Sequence, residues 1–111
     1  MPFTAKPLSG LKVIELGTLI AGPFASRICA EFGADVVKVE SPDGGDPLRK
    51  WRKLYEGTSL WWFVQARNKK SLTLNLKHPD GLAILKKLLS EADILIENFR
   101  PGVLEKLGLG W

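Results

Sequence analysis

His78 and Cys29 are the only histidine and the only cysteine of the chain, so acid/base and thiol chemistry have few places to reside. His78 stands directly before Pro79 with no Ser or Cys nucleophile placed near it by sequence. It therefore reads as part of a helix start rather than as a catalytic base. Cys29 lies between Ile28 and Ala30 in a helical stretch and reads as a small buried hydrophobe rather than a reactive thiol. One cysteine allows neither an intrachain disulfide nor a cysteine-based metal cluster, so the metal reading falls and a reducing compartment is compatible.

Gly17 and Gly22 have the spacing of the glycines in a phosphate-cradling P-loop. The residues that follow are Pro23 and Phe24, where that motif needs Lys and then Ser or Thr, so the P-loop is rejected. No Gly-x-Gly-x-x-Gly follows either of the first two apolar runs, and the dinucleotide fingerprint is missing as well. Two readings of the glycines stay open. A helix starting at Gly22 offers free backbone N–H groups to an anion, or the glycines only permit a tight strand-to-helix turn.

Glu15 and Lys38 interrupt apolar runs and are expected to pair across neighbouring strands in a structural role. Arg49, Lys50, Arg52 and Lys53 form one basic run, and Arg67, Lys69 and Lys70 another, within a balance of 16 basic and 12 acidic residues and a net charge of +4. Each run taken alone reads as solvated surface. A nucleic-acid role is set aside because no recognisable nucleic-acid motif accompanies the runs. The tryptophans, three of them at 51, 61 and 62, are expected to pack in a core or under another chain segment rather than against a nucleobase.

These residues must be positioned by a small α/β unit. The chain has 111 residues, 45% of them hydrophobic and 25% charged, an ordinary globular balance that fits a single domain. No apolar run approaches the roughly 20 residues of a membrane helix, and the reading is a soluble, cytoplasmic protein. Residues 11–16 read as a buried strand between Gly10 and Gly17. A helix follows, with Gly22 as its cap, Pro23 as first helical residue, Phe24, Ile28 and Phe32 at fourfold spacing, and Gly33 just past its end. Residues 36–40 are a second strand, giving a right-handed βαβ crossover. Residues 41–47 collect turn formers.

Residues 71–76 alternate strictly, with Leu72, Leu74 and Leu76 on one face, and predict a one-sided strand. From Pro79 to Glu91 the leucines form a helical stripe. Residues 93–97 are another buried strand, and 101–107 a short helix stopped by Gly108. Alternating strands and helices imply a mainly parallel sheet, whose ligands bind beyond the carboxyl ends of the strands. Here those positions are 17–22, 41–46 and 98–102. The chain stops at Trp111 with no closing element, so an incomplete domain is expected.

Two stretches carry a specific resemblance: Ala21-Gly-Pro-Phe-Ala-Ser26 running into Phe32-Gly-Ala-Asp-Val-Val-Lys-Val-Glu40, and Ala92-Asp-Ile-Leu-Ile-Glu-Asn-Phe-Arg-Pro-Gly102. Gly45-Asp46 with Arg49, and Asn68-Lys-Lys-Ser-Leu-Thr-Leu-Asn-Leu-Lys77, are similar in the same way. From Leu8 to Trp111 the chain resembles the class III coenzyme A transferases. That group includes formyl-CoA, carnitine and bile-acid CoA-transferases and the related α-methylacyl-CoA racemases.

The resemblance implies the N-terminal part of a Rossmann-like large domain, coenzyme A bound as a substrate with no tightly held cofactor, and interlocked homodimers. It assigns CoA contacts to Leu19, Ile20 and Ala21, to Leu74 and Lys77, to Asn98 and Phe99, and to Lys106, where other members carry arginine. Ser41 stands where some members carry an arginine near the nucleotide. The nucleophilic aspartate of the family lies downstream of Trp111, and none of Asp35, Asp43, Asp46, Asp80 or Asp93 corresponds to it. In the transferases that aspartate attacks an acyl-CoA thioester and carries CoA to an acceptor acid through covalent intermediates. The alternatives are a racemase of the same fold and a binding module without chemistry.

Overall fold

The computed structural model describes residues 5–110, so Trp111 and the first four residues lie outside the described part. Four strands form the main sheet: β1 (Lys12–Glu15), β2 (Asp35–Glu40), β5 (Lys69–Thr73) and β6 (Ile94–Ile96), in the order β5-β2-β1-β6. All three pairings are parallel. The expected placing of 13–16, 36–40 and 94–97 side by side in one parallel sheet is therefore observed. The chain winds outward from β1 through β2 to β5 and then returns to the other side of β1. The switch point falls between β1 and β6, where open α/β sheets place ligands.

Helices cover both faces. Helix α1 (Ala21–Glu31) lies on one, where Val13, Ala30, Ala34 and Val36 pack together. Helix α3 (Pro79–Ser90) lies on the other, where Ile14, Leu16, Val39 and Leu85 form the second core with Leu82, Leu88 and Leu89 against it. The ring of His78 caps α3, its Nδ1 accepting the Asp80 N–H at 3.1 Å, which is the helix-start role read from the sequence.

Helix α1 departs from the sequence reading in two ways. It begins at Ala21, one residue before the expected cap, with Ile20 in the capping position and no side-chain cap. Pro23 is tolerated because it still falls in the first turn, whose N–H groups have no intrahelical acceptor. The apolar row Phe24, Ile28 and Phe32 faces outward, 47%, 36% and 50% exposed. Gly22, Pro23, Ser26 and Ala30 are buried instead. Gly33 does take the left-handed conformation past the helix, with φ 108°.

Strand β5 begins two residues earlier than expected and ends at Thr73, although the extended chain runs on, with the Leu74 N–H donating to the Glu40 carbonyl at 3.0 Å. The tryptophan-rich segment resolves into a hairpin of β3 (Leu54–Tyr55) and β4 (Thr58–Ser59), followed by α2 (Leu60–Gln65). Glu56 and Gly57 both have positive φ, 48° and 81°, as a two-residue hairpin turn of the right twist requires. Ser59 caps α2. A final short helix, α4, spans Val103–Lys106.

Candidate coenzyme site at the carboxyl ends of the strands

A cavity of about 430 Å³ opens where β1, β2 and β5 end. Its apolar wall is built by Leu16, Val39, Leu74, Leu76, Phe99, Val103 and Leu107; Gly17, Thr18 and the loop after β2 from Ser41 to Pro47 form the rim, with Lys77 beside them. The volume is within the range of small-molecule pockets, and the mix of an apolar wall with few polar groups is usual for them. Of the expected strand-end positions, Gly17 and Thr18 from the first segment, most of 41–46, and Phe99 from the third meet around one space.

The residues assigned by resemblance are distributed unevenly around it. Leu74, Lys77 and Phe99 line the cavity. Asn98 instead clamps the adjoining turn: its Oδ1 accepts the Thr18 N–H and its Nδ2 donates to the Thr18 carbonyl, both at 2.9 Å. Leu19, Ile20 and Ala21 continue from that clamped turn into α1 without lining the cavity. Lys106 is exposed on α4, between the lining residues Val103 and Leu107.

The glycine spacing has a packing reason. A Cβ on Gly17 would lie 2.9 Å from both the Gly22 Cα and the Asn98 Oδ1, and one on Gly22 would meet the Gly17 Cα at the same distance. The two glycines let the β1 and α1 backbones and the Asn98 amide touch.

Under the rim lies a network of buried charges. The sheet register sets Glu15 beside Lys38, and their ion pair measures 2.5 Å, so the expected cross-strand pair is present. Lys38 Nζ also lies 2.8 Å from Asp46 Oδ2 as an ion pair and donates to the Gly17 carbonyl at 2.9 Å. Lys69 Nζ bonds Glu15 at 2.6 Å and the Pro23 carbonyl at 2.9 Å, and the Ser26 hydroxyl also donates to Glu15. Two lysines thus face two carboxylates, without the excess charge that would be costly in an apolar interior. Burial pushes the Lys69 ammonium below its usual range, against the attraction of Glu15.

Lys69 corrects the reading of its basic run as solvated surface, since its side chain is 3% exposed. Glu40, at the end of β2, has its own cluster. It receives Arg49 through both oxygens at 2.8 Å, the Asp46 N–H at 2.9 Å, and the Ser71 hydroxyl. Burial opposes its charge, yet these donors prevail and hold its pKa at about 2. Arg49 is raised in turn by Glu40 and stacks over Trp62, 3.9 Å from the ring centre.

Glu40, Asp46 and Lys69 were given no role by residue-level sequence reading. The available signal was a charge at the inward position of an apolar strand, which served for Glu15 and Lys38 and applies equally to Glu40.

The family pattern and the similar curated proteins point to one family. The pattern of CoA-transferase family III matches residues 8–111. A succinyl-CoA–D-citramalate CoA-transferase of Chloroflexus aurantiacus is 53% identical over 107 residues, covering 96% of this chain and 27% of that protein. The beta subunit of a succinyl-CoA–L-malate CoA-transferase from the same organism is 52% identical, covering 97% and 27%. Among solved structures, a CAIB/BAIF family protein from Brucella suis superposes with a TM-score of 0.88 at 39% identity, covering 97% of this chain and 30% of that one. This chain spans about a quarter of the length of the curated relatives it matches. The sheet order, the cavity at the carboxyl ends of its strands and the match from 8 to 111 agree, and the chain belongs to CoA-transferase family III.

Proposed function

We propose that this chain supplies part of the coenzyme A site of an enzyme that moves CoA from an acyl-CoA to a carboxylic acid. The observation that carries this reading is the cavity at the strand ends, lined by Leu74, Lys77 and Phe99, in a chain whose relatives are named CoA-transferases. Phe99 offers a ring face to the adenine, and Lys77 a point charge for a phosphate. Leu19, Ile20 and Ala21 contribute backbone groups at the start of α1, Asn98 fixes that turn, and Lys106 adds charge from α4.

Chemistry through a covalent aspartyl intermediate belongs to this reading, with the nucleophile outside residues 1–111, so the role of the present residues is binding and orientation. The names of the relatives point to succinyl-CoA as the first donor to test and to a four- or five-carbon dicarboxylate as acceptor. We place the working enzyme in the cytoplasm as a homodimer of which these residues form part of the large domain. The exposed row Phe24, Ile28 and Phe32 supports a covered surface there. Among the described residues no helix is long and apolar enough to cross a membrane.

Calorimetric titration of the 111-residue chain with CoA tests the binding half. Saturable binding, weakened about tenfold by Phe99→Ala through loss of stacking, supports it, and no binding refutes it. Incubation with succinyl-CoA and hydroxylamine tests the other half: an acyl adduct on this chain would show that one of its own residues is the nucleophile.

A further inference from the structure

The loop that follows β1 contains a conformation that needs holding. Leu19 has φ 62°, a left-handed backbone that costs a residue with a Cβ about 1–2 kcal/mol. Asn98 holds the Thr18 N–H and carbonyl on one side of it. The Leu19 N–H itself donates across to Asp46 Oδ1 at 3.0 Å, in the loop after β2. The same oxygen accepts the Leu48 N–H at 2.9 Å, starting the 3-10 turn Pro47–Lys50. The other oxygen faces Lys38, and the Asp46 N–H is taken by Glu40. Asp46 is 3% exposed.

We propose that Asp46 is a positioning residue for the coenzyme site. Its carboxylate ties the strained Leu19 turn to the cavity-lining β2 loop, so that both rims move as one body. Asp46 acts on the ligand through the Thr18–Leu19 turn, whose Thr18 lines the cavity. This rests on the CoA reading above and adds a residue to which no CoA contact is assigned.

A double-mutant cycle separates positioning from simple support of the fold. Glycine adopts φ > 0 freely, so Leu19→Gly makes the clamp unnecessary. In the otherwise unaltered 111-residue chain, Asp46→Ala is expected to weaken CoA binding about tenfold, as small misplacements of orienting groups do. In the Leu19→Gly background the same change is expected to cost less than about twofold, although melting temperature falls in both backgrounds. Asp46→Asn keeps an acceptor for the Leu19 N–H but loses the charge facing Lys38, so it lowers stability while largely preserving CoA affinity. Equal losses of affinity in both backgrounds, or none in either, would overturn the proposal. Exchange of the Leu19 amide, read by NMR without ligand, is expected to accelerate in Asp46→Ala, and unchanged protection would also overturn it. Should the unaltered chain bind no CoA, the functional reading fails separately and amide exchange still decides the clamp.

Discussion

Helices α1 and α3 each follow a strand and cover opposite faces of one sheet, yet they are held by different forces. Helix α3 is held by aliphatic burial: Leu85 is 0% exposed, and Leu82, Leu88 and Leu89 pack around it. Helix α1 turns its large apolar residues outward and rests on Gly22, Pro23, Ser26 and Ala30. Close backbone approach and polar ties hold it, with the Ser26 hydroxyl on Glu15 and the Pro23 carbonyl on Lys69. Small residues bring a helix nearer the sheet, and here Gly22 meets Gly17, which lies at the rim of the cavity. The α3 side is held by burial and carries the apolar wall of the cavity, Leu16, Val39, Leu74, Leu76 and Phe99, and the α1 side is held by close approach and polar ties that fix the Gly17 turn at its rim.

Removing the centre of the polar side should have the largest effect. Lys38→Met strands Glu15 and Asp46 with one cation fewer and is expected to cost about 3–5 kcal/mol in urea unfolding. A loss below about 1 kcal/mol would show that the network is not what fixes this side. On the other face Leu85→Ala should cost about 2–5 kcal/mol through lost burial and a residual cavity. Gly17→Ala should come next, at about 1–3 kcal/mol from overpacking, but it should displace Asn98 and weaken CoA binding as well.

Acid affects the polar side selectively. The pKa of Glu40 is lowered from 4.5 to about 2 by Arg49, the Asp46 N–H and Ser71 against the cost of burial. The stability it contributes is therefore fully present above the unfolded value of 4.5 and is lost as pH falls towards 2. Hydrogen exchange at pH 3 should show opening of the β2 loop before opening of α3, and the reverse order would contradict the assignment. The smallest effect is expected at Phe24→Gln on the outer face of α1, within about 0.5 kcal/mol in the isolated chain. A larger loss would show that this face is already covered.

The same contrast explains what could be read from the sequence. The leucine stripe of α3 gave its position directly, since periodicity reports burial when burial is what holds an element. Applied to α1, the row Phe24, Ile28 and Phe32 identifies a helix but not the face that meets the sheet, because glycine, proline, serine and alanine carry little periodic signal. The Glu15–Lys38 pair was legible because both charges interrupt apolar strands. Asp46 was not, since it lies among turn formers and gains its partners only when two strand-end loops converge. The cavity itself follows from topology: a parallel sheet puts the segments that begin at Gly17 and Ser41 on one rim, and the resemblance supplied Leu74, Lys77 and Phe99. The exposed hairpin and α2 had no pattern to read, as their stacking of Arg49 on Trp62 is made across the turn and not along it.

The central claim is that coenzyme A occupies the carboxyl rim of the sheet. Titrating the labelled 111-residue chain with CoA, and following backbone amides by NMR, addresses it most directly. The account predicts the largest shifts at Thr18, Leu74, Lys77 and Phe99, with little change at Lys12, Asp35 and Asp93 on the opposite rim. Shifts confined to that opposite rim, or no saturable shifts at all, would contradict it.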